Sequence, residues 1–333
     1  MKPRALILLL GLALLCTACH RDHLYYATNE CAVVRINVDW NPSHLQPNGV
    51  SAYAFDHQTG RAVGQCVISG NPNSVDVALP IGTYDIVIHN DTDEELDNID
   101  LVGLDNLSTF QALISTNSES RYKLGEQRVG TRYATGCDVM ATKLIQGIEI
   151  HSEDVQYFYN RPLPEDYEIA IEKTVAPARI TELIDIKITV NNLTSAAGAP
   201  RSLLSDMSRG YDVGLSAKRS DLLTFEFVLN NKVIDPVNHK RGTITKQLIS
   251  FGPPAVKSAE ANYQLVMNFV LVNDTTYPVT LDVNNSITTE FDGLQYVHKI
   301  RAEITLPETI GNGEGPFNPD VEEWEDVEIG LPA

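Results

Sequence analysis

The residues best placed to do chemistry stand at the front of the chain. Cys16-Thr17-Ala18-Cys19 follows an unbroken apolar run over residues 5–15, which in turn follows Lys2 and Arg4. Two positive charges, about eleven apolar residues and a small residue before a cysteine make a secretory signal of the lipoprotein type. The chemistry expected is acylation of Cys19 after removal of residues 1–18. The run falls short of the roughly 20 apolar residues that a spanning helix needs. The expected membrane contact is therefore the lipid itself, in which each buried methylene is worth about 0.8 kcal/mol. Cys16 stands where such motifs ordinarily carry leucine, with Leu15 one place earlier.

The other reactive side chains form no catalytic pattern. Cys31, Cys66 and Cys137 remain once Cys19 is acylated, which allows at most one internal disulfide. Cys31 and Cys66 both sit at strand-like edges, so one reading bridges them; the other makes all three small buried hydrophobes. No pair has C-x-x-C spacing, so neither a zinc site nor a redox motif is supported. Asp91, Asp93, Glu95 and Asp97 alternate as calcium-loop ligands do, but no glycine stands at the sixth place and Val102 occupies the twelfth. That cluster reads as a solvated loop. Eight histidines are spread from His20 to His298, and no G-x-S-x-G elbow, phosphate loop or H-E-x-x-H is present. The expectation is a non-enzymatic chain with no cofactor, no metal and no small-molecule substrate.

Lys and Arg number 25 against 44 Asp and Glu, a net charge of -19, and loss of Lys2 and Arg4 with the signal takes it to -21. Such acidity leaves nothing to neutralise phosphates, which excludes nucleic acid as a partner. A hydrophobic fraction of 43% is ordinary for a chain with a packed core.

The elements around these residues repeat every second position. Apolar side chains alternate with polar ones over 34–40, 75–79, 84–88, 184–190, 223–229, 263–271 and 300–306. Strict alternation marks a strand with one buried face, and Asn-, Gly- and Pro-bearing turns between such strands predict antiparallel sandwiches. Helical spacing is confined to short pieces near 105–115 and 201–208. Asn160-Arg161-Pro162-Leu163-Pro164 and then Pro177 interrupt regular structure, which predicts two domains, 31–173 and 174–310. A linker over 19–30 precedes them, and an acidic segment, 311–333, follows as an edge strand or a tail.

Residues 34–40 (Val-Arg-Ile-Asn-Val-Asp-Trp), Ala52-Tyr53-Ala54-Phe55 and the segment 79–90, in which Leu79-Pro80, Gly82, Tyr84 and Asn90 stand out, resemble the fimbrillin-like lipoproteins of Bacteroidales. The resemblance covers most of the mature chain and includes the anchor and accessory subunits of fimbriae. It implies an all-β fold of two tandem transthyretin-like antiparallel sandwiches after a lipoprotein signal peptide. It also implies an outer-membrane location with the chain facing outward. Its expected partners are other fimbrillin-like subunits, held by exchange of a strand along a sheet edge. In that family stalk subunits are matured by cleavage after a basic residue; Arg21, Arg35, Arg161 and Arg179 are present, and none makes a clear processing site. A second function, a surface glycan-binding lipoprotein, would want solvent-facing aromatics. Trp40 lies on the inward phase of its strand, Trp324 is the other tryptophan, and Tyr157 and Tyr159 share one phase.

Overall fold

The computed structural model describes residues 29–92, 95–124, 130–158, 167–255 and 262–309. Among them the regular structure is strand, with three single 3-10 turns and no helix long and apolar enough to cross a membrane. The first part contains β1 (Asn29–Val38), β2 (Val50–Asp56), β3 (Val67–Ser69), β4 (Ser74–Leu79), β5 (Gly82–Asn90), β6 (Ile99–Val102), β7 (Gln111–Ile114), β8 (Tyr133–Ala134), β9 (Ala141–Ile150), β10 (Gln156–Phe158), β11 (Ile169–Val175) and β12 (Ala178–Arg179). The second contains β13 (Glu182–Asn191), β14 (Arg201–Ser208), β15 (Gly210–Asp212), β16 (Ala217–Lys218), β17 (Leu222–Val228), β18 (Asn231–Ile234), β19 (Gly242–Ser250), β20 (Gln264–Val270), β21 (Thr276–Asp282), β22 (Ile287–Phe291) and β23 (Tyr296–Thr305).

Alternation builds the first sandwich. Val34, Ile36 and Val38 of β1 and Val75, Val77 and Leu79 of β4 project onto Ala52 and Ala54 of β2 and Tyr84, Ile86 and Ile88 of β5, forming one buried cluster. Trp40 joins it, buried, with its indole Nε1 donating to the Pro72 carbonyl at 2.7 Å. Aromatic N–H groups taken out of water need such an acceptor. β1 sits between antiparallel β4 and parallel β11, while β10 pairs the first residues of β1; the facing sheet runs β3–β2–β5–β9–β12.

The second unit repeats this connectivity. β13 sits between antiparallel β19 and parallel β23, and the facing sheet runs β17–β14–β20–β21 as the first runs β3–β2–β5–β9. The copies differ at their borders. In the second unit β18 covers the outer edge of β19 and β22 covers that of β23. In the first, the corresponding edges of β4 and β11 carry no further strand among the described residues.

The units are not separate beads. Residues between β5 and β9 leave the first sandwich and pair with the second: β6 and β7 join β15 and β16 in one four-stranded sheet, and β8 runs parallel to β17. Gly210 and Gly214 permit the approach. A Cβ at Gly214 would strike the Leu107 carbonyl oxygen, and one at Gly210 would meet the Ala112 carbonyl at 2.5 Å. Phe110, fully buried, packs its ring 5.1 Å from Tyr53 and 6.0 Å from Phe55 on the back of the first sandwich. It belongs to the same continuous cluster as Ile186, Phe225 and Leu265 of the second.

Several expectations change. Residues 201–208 form strand β14 and not a helix; between 105 and 115 there is one 3-10 turn, Leu107–Thr109, followed by β7. Residue 173 lies within β11, which runs to Val175, and β12 after it pairs with β9. No disulfide joins Cys31 to Cys66. Cys31 lies with Val33 and Tyr167 in a small cluster of its own, whereas Cys66 borders the large core. Cys137 is half-buried with its backbone N–H on the Ile249 carbonyl, and burial pushes its thiol far up, so it is not a reactive thiolate.

Candidate interaction surface

Sheet edges and polar clusters are features through which such a fold can meet a partner. A shallow concavity of about 190 Å3 lies between Gln46, Pro47, Asp91, Leu96 and Asp138, less than the ~300–1,000 Å3 of ordinary ligand sites. Its carboxylates are committed to the backbone. Asp91 accepts from Asn48 N at 2.8 Å and from the Asn90 amide, Asp138 accepts from Asp97 N, and Glu95 accepts from Thr92 N. Asp93 lies outside the described residues. Acids that brace a loop in this way are not a cation cage, and no group of three or more metal-ligating side chains converges among the described residues.

On the outer face of the β4–β1–β11 sheet, Arg35 grips Asp76 with two parallel bonds, Nε to Oδ1 at 2.8 Å and Nη2 to Oδ2 at 2.7 Å, and the Tyr167 hydroxyl donates to the same carboxylate. The Arg35 guanidinium is the main cause holding the Asp76 carboxyl below its usual range. A depressed carboxyl contributes stability that is present above its ordinary pKa and lost as pH falls through its folded value. Wild type and Asp76→Asn should therefore differ most in stability at neutral pH and converge below about pH 4, as read by urea midpoints. A gap independent of pH would contradict the assignment. Arg35 and Arg179, two of the basic residues considered as processing sites, are both half-buried within paired strands, β1 and β12. Arg21 and Arg161 lie outside the described residues, as do Cys19, Tyr159 and Trp324.

A second cluster is buried where the interdomain sheet meets the second sandwich. Glu182 opens β13, Lys218 lies on β16 and His298 on β23; both Lys218 Nζ and His298 Nε2 stand 2.5 Å from Glu182 Oε2. Thr289 Oγ1 contacts His298 Nδ1 at 2.9 Å. Gly252 roofs the site with φ +69°, and a Cβ there would collide with the Glu182 carboxylate and lie 2.7 Å from His298 Nε2. Sequence reasoning missed this cluster, since its members are 36 to 116 positions apart along the chain.

The edges are the remaining candidates. β11 is seven residues long, contains no proline, and exposes Ile169, Glu172, Lys173 and Thr174. β21, at the border of the second unit, carries Pro278 within it, and β3 is three residues long. Short strands and proline are means by which proteins close an edge to further pairing.

With that geometry in view, a family model described as a domain of unknown function, DUF5119, matches residues 18–227. The chain belongs to the DUF5119 family. The match covers the first unit and continues through most of β17 in the second. No curated protein matches this DUF5119 chain. Among solved structures, a candidate adhesin from Bacteroides ovatus shares 17% identity, covering 88% of this chain and 99% of its own, with a TM-score of 0.52. The fimbrial anchor protein Mfa2 from Porphyromonas gingivalis shares 11% over 83% of this chain and 90% of its own, at a TM-score of 0.46. The tip fimbrial protein Mfa3 of the same organism, C-terminally truncated, shares 11% over 80% and 85%, at 0.32. At such identities the likeness is one of fold. The fimbrillin-like resemblance drawn from residues 34–90 is borne out at that level by the Bacteroides ovatus adhesin candidate, whose fold this DUF5119 chain shares.

Proposed function

We propose that the chain is a non-enzymatic outer-membrane lipoprotein, tethered through acylated Cys19, that serves as an anchor or accessory subunit of a fimbrial-type assembly. It comprises two tandem transthyretin-like units divided after Arg179, and it meets other subunits along a sheet edge. The observation that carries this reading is the contrast between the two copies of one topology. The second unit covers β23 with β22, whereas among the described residues no strand pairs with the outer edge of the equivalent strand of the first, β11. An unpaired row of backbone N–H and C=O groups favours addition of a strand from another chain, with backbone bonds giving affinity and alternate side chains giving specificity.

Two measurements test it. Cys19→Ser should abolish labelling by a palmitate analogue and release the protein from the membrane fraction; persistent labelling removes the tether. A photo-crosslinking residue at Thr174 on β11 should capture fibre subunits in detergent-extracted fimbriae, and the same probe at Thr288 on β22 should not. Capture only from Thr288, or from neither, would defeat the edge assignment.

A further inference from the structure

We propose that the aromatic corner made by Phe291 and Tyr296, beside the junction of the two units, is a binding site for the ring of a neutral sugar. The two residues face each other directly across the β22–β23 hairpin. Their ring centroids are 5.4 Å apart at 61°, and they are 60% and 52% exposed. Single exposed apolar side chains occur elsewhere on this surface, Val237 and Leu215 among them, but here two aromatic rings are exposed in contact with each other, and contiguity is what marks a binding surface. Set edge to face, one ring of the pair offers an open face to the C–H side of a pyranose while the other walls the flank.

The surroundings decide between a sugar and a protein. The rest of β22 beyond Ile287 is Thr288, Thr289 and Glu290, all exposed and polar, so no apolar stripe continues from the corner. A stable protein interface buries about 1,200–2,000 Å2 around an apolar centre; two rings on a polar hairpin fall well short. They do suit a ligand with one apolar face and many hydroxyls. Planar polar groups stand at the same turn. Asp292 Oδ1 accepts from Leu294 N and Gln295 N at 2.9 Å, which fixes the carboxylate at the turn. Arg179, from the first unit, donates to Gln295 Oε1 at 3.2 Å and to the Ser43 carbonyl at 2.8 Å. The site thus draws on both units, and seams between domains are favoured positions for binding sites. At the corner Glu290 pairs with Lys299 and Asp292 faces Arg179, so the local charges are matched; the chain's net charge of -19 then repels an anionic polysaccharide and leaves a neutral one free to bind.

This site is independent of the open edge of β11, and a test can keep the two apart. The full chain is run in native affinity gels containing neutral polysaccharides (starch, dextran, galactomannan, xylan) or the anionic polygalacturonate. Retardation is expected in at least one neutral gel and not in the anionic one. The double substitution Phe291→Ala with Tyr296→Ala should weaken it about tenfold or more. Both side chains are exposed, so thermal unfolding should barely move, and crosslinking from Thr174 should persist. No retardation in any neutral gel, retardation by polygalacturonate alone, or equal retardation of the double variant would overturn the assignment.

Discussion

Replacing Phe110 with alanine should cost about 3–5 kcal/mol in denaturant unfolding. It should also turn a single transition into two. The side chain is fully buried and touches Tyr53 and Phe55 on the first sandwich. Its carbonyl accepts from Val213 N at 2.9 Å on the second. The cavity left behind would therefore open at the point where the two units share a core, and the packed surroundings can relax only partly. Loss of coupling should appear as separated unfolding steps in calorimetry. A comparable truncation inside one sandwich, Ile36→Ala, should destabilise without separating them. Two transitions in the unmodified protein would refute the shared core.

The second large effect concerns the buried Glu182 carboxylate, and it is asymmetric. Lys218→Met leaves that carboxylate with only His298, and breaking a buried pair from one side costs about 3–5 kcal/mol. Lys218 keeps 20% side-chain exposure against 6% for Glu182, so the ammonium can turn to water where the carboxylate cannot. Glu182→Gln should consequently cost less than half as much. Combining Glu182→Leu with Lys218→Met should recover most of the stability lost by Lys218→Met alone, because paired apolar replacements remove the burden of an unmatched charge. Equal and additive losses in urea midpoints would show that the carboxylate is not held in this way.

What the sequence discloses here follows from burial. β13 and β23 read clearly because one face of each is packed and the other wet, so Ile184, Ile186, Ile188 and Ile300 alternate with charged residues. β14 does not. Leu203, Leu204 and Met207 mimic helical spacing because the pairing shifts between Leu204 and Met207, where Asp206 adopts φ +62°, and the bulge resets the phase. β5 reads only partly: Tyr84, Ile86 and Ile88 enter the first core, but Val87 is equally buried against the inserted segment. The interdomain sheet is absent from any local pattern, since its strands are two to four residues long and pair at long range. The same holds for the candidate sites. The lack of a catalytic pattern is visible in composition and spacing, whereas the Glu182 cluster and the Phe291–Tyr296 corner exist only once distant strands meet.

The stitching of β7 to β15 also sets an order of events during synthesis. Leu113 faces Gly210 in the finished sheet, so the β6–β7 hairpin must wait for about a hundred further residues before its outer partner exists, and such distant pairing is slow. Until then its outer edge is unpaired, and Phe110 has only its contacts with Tyr53 and Phe55 and lacks the cover of the second unit. A fragment ending at the first sandwich would remain in that unfinished condition, and it would be prone to self-association. The first half of this chain is thus a folding intermediate by construction, completed only when the second half arrives.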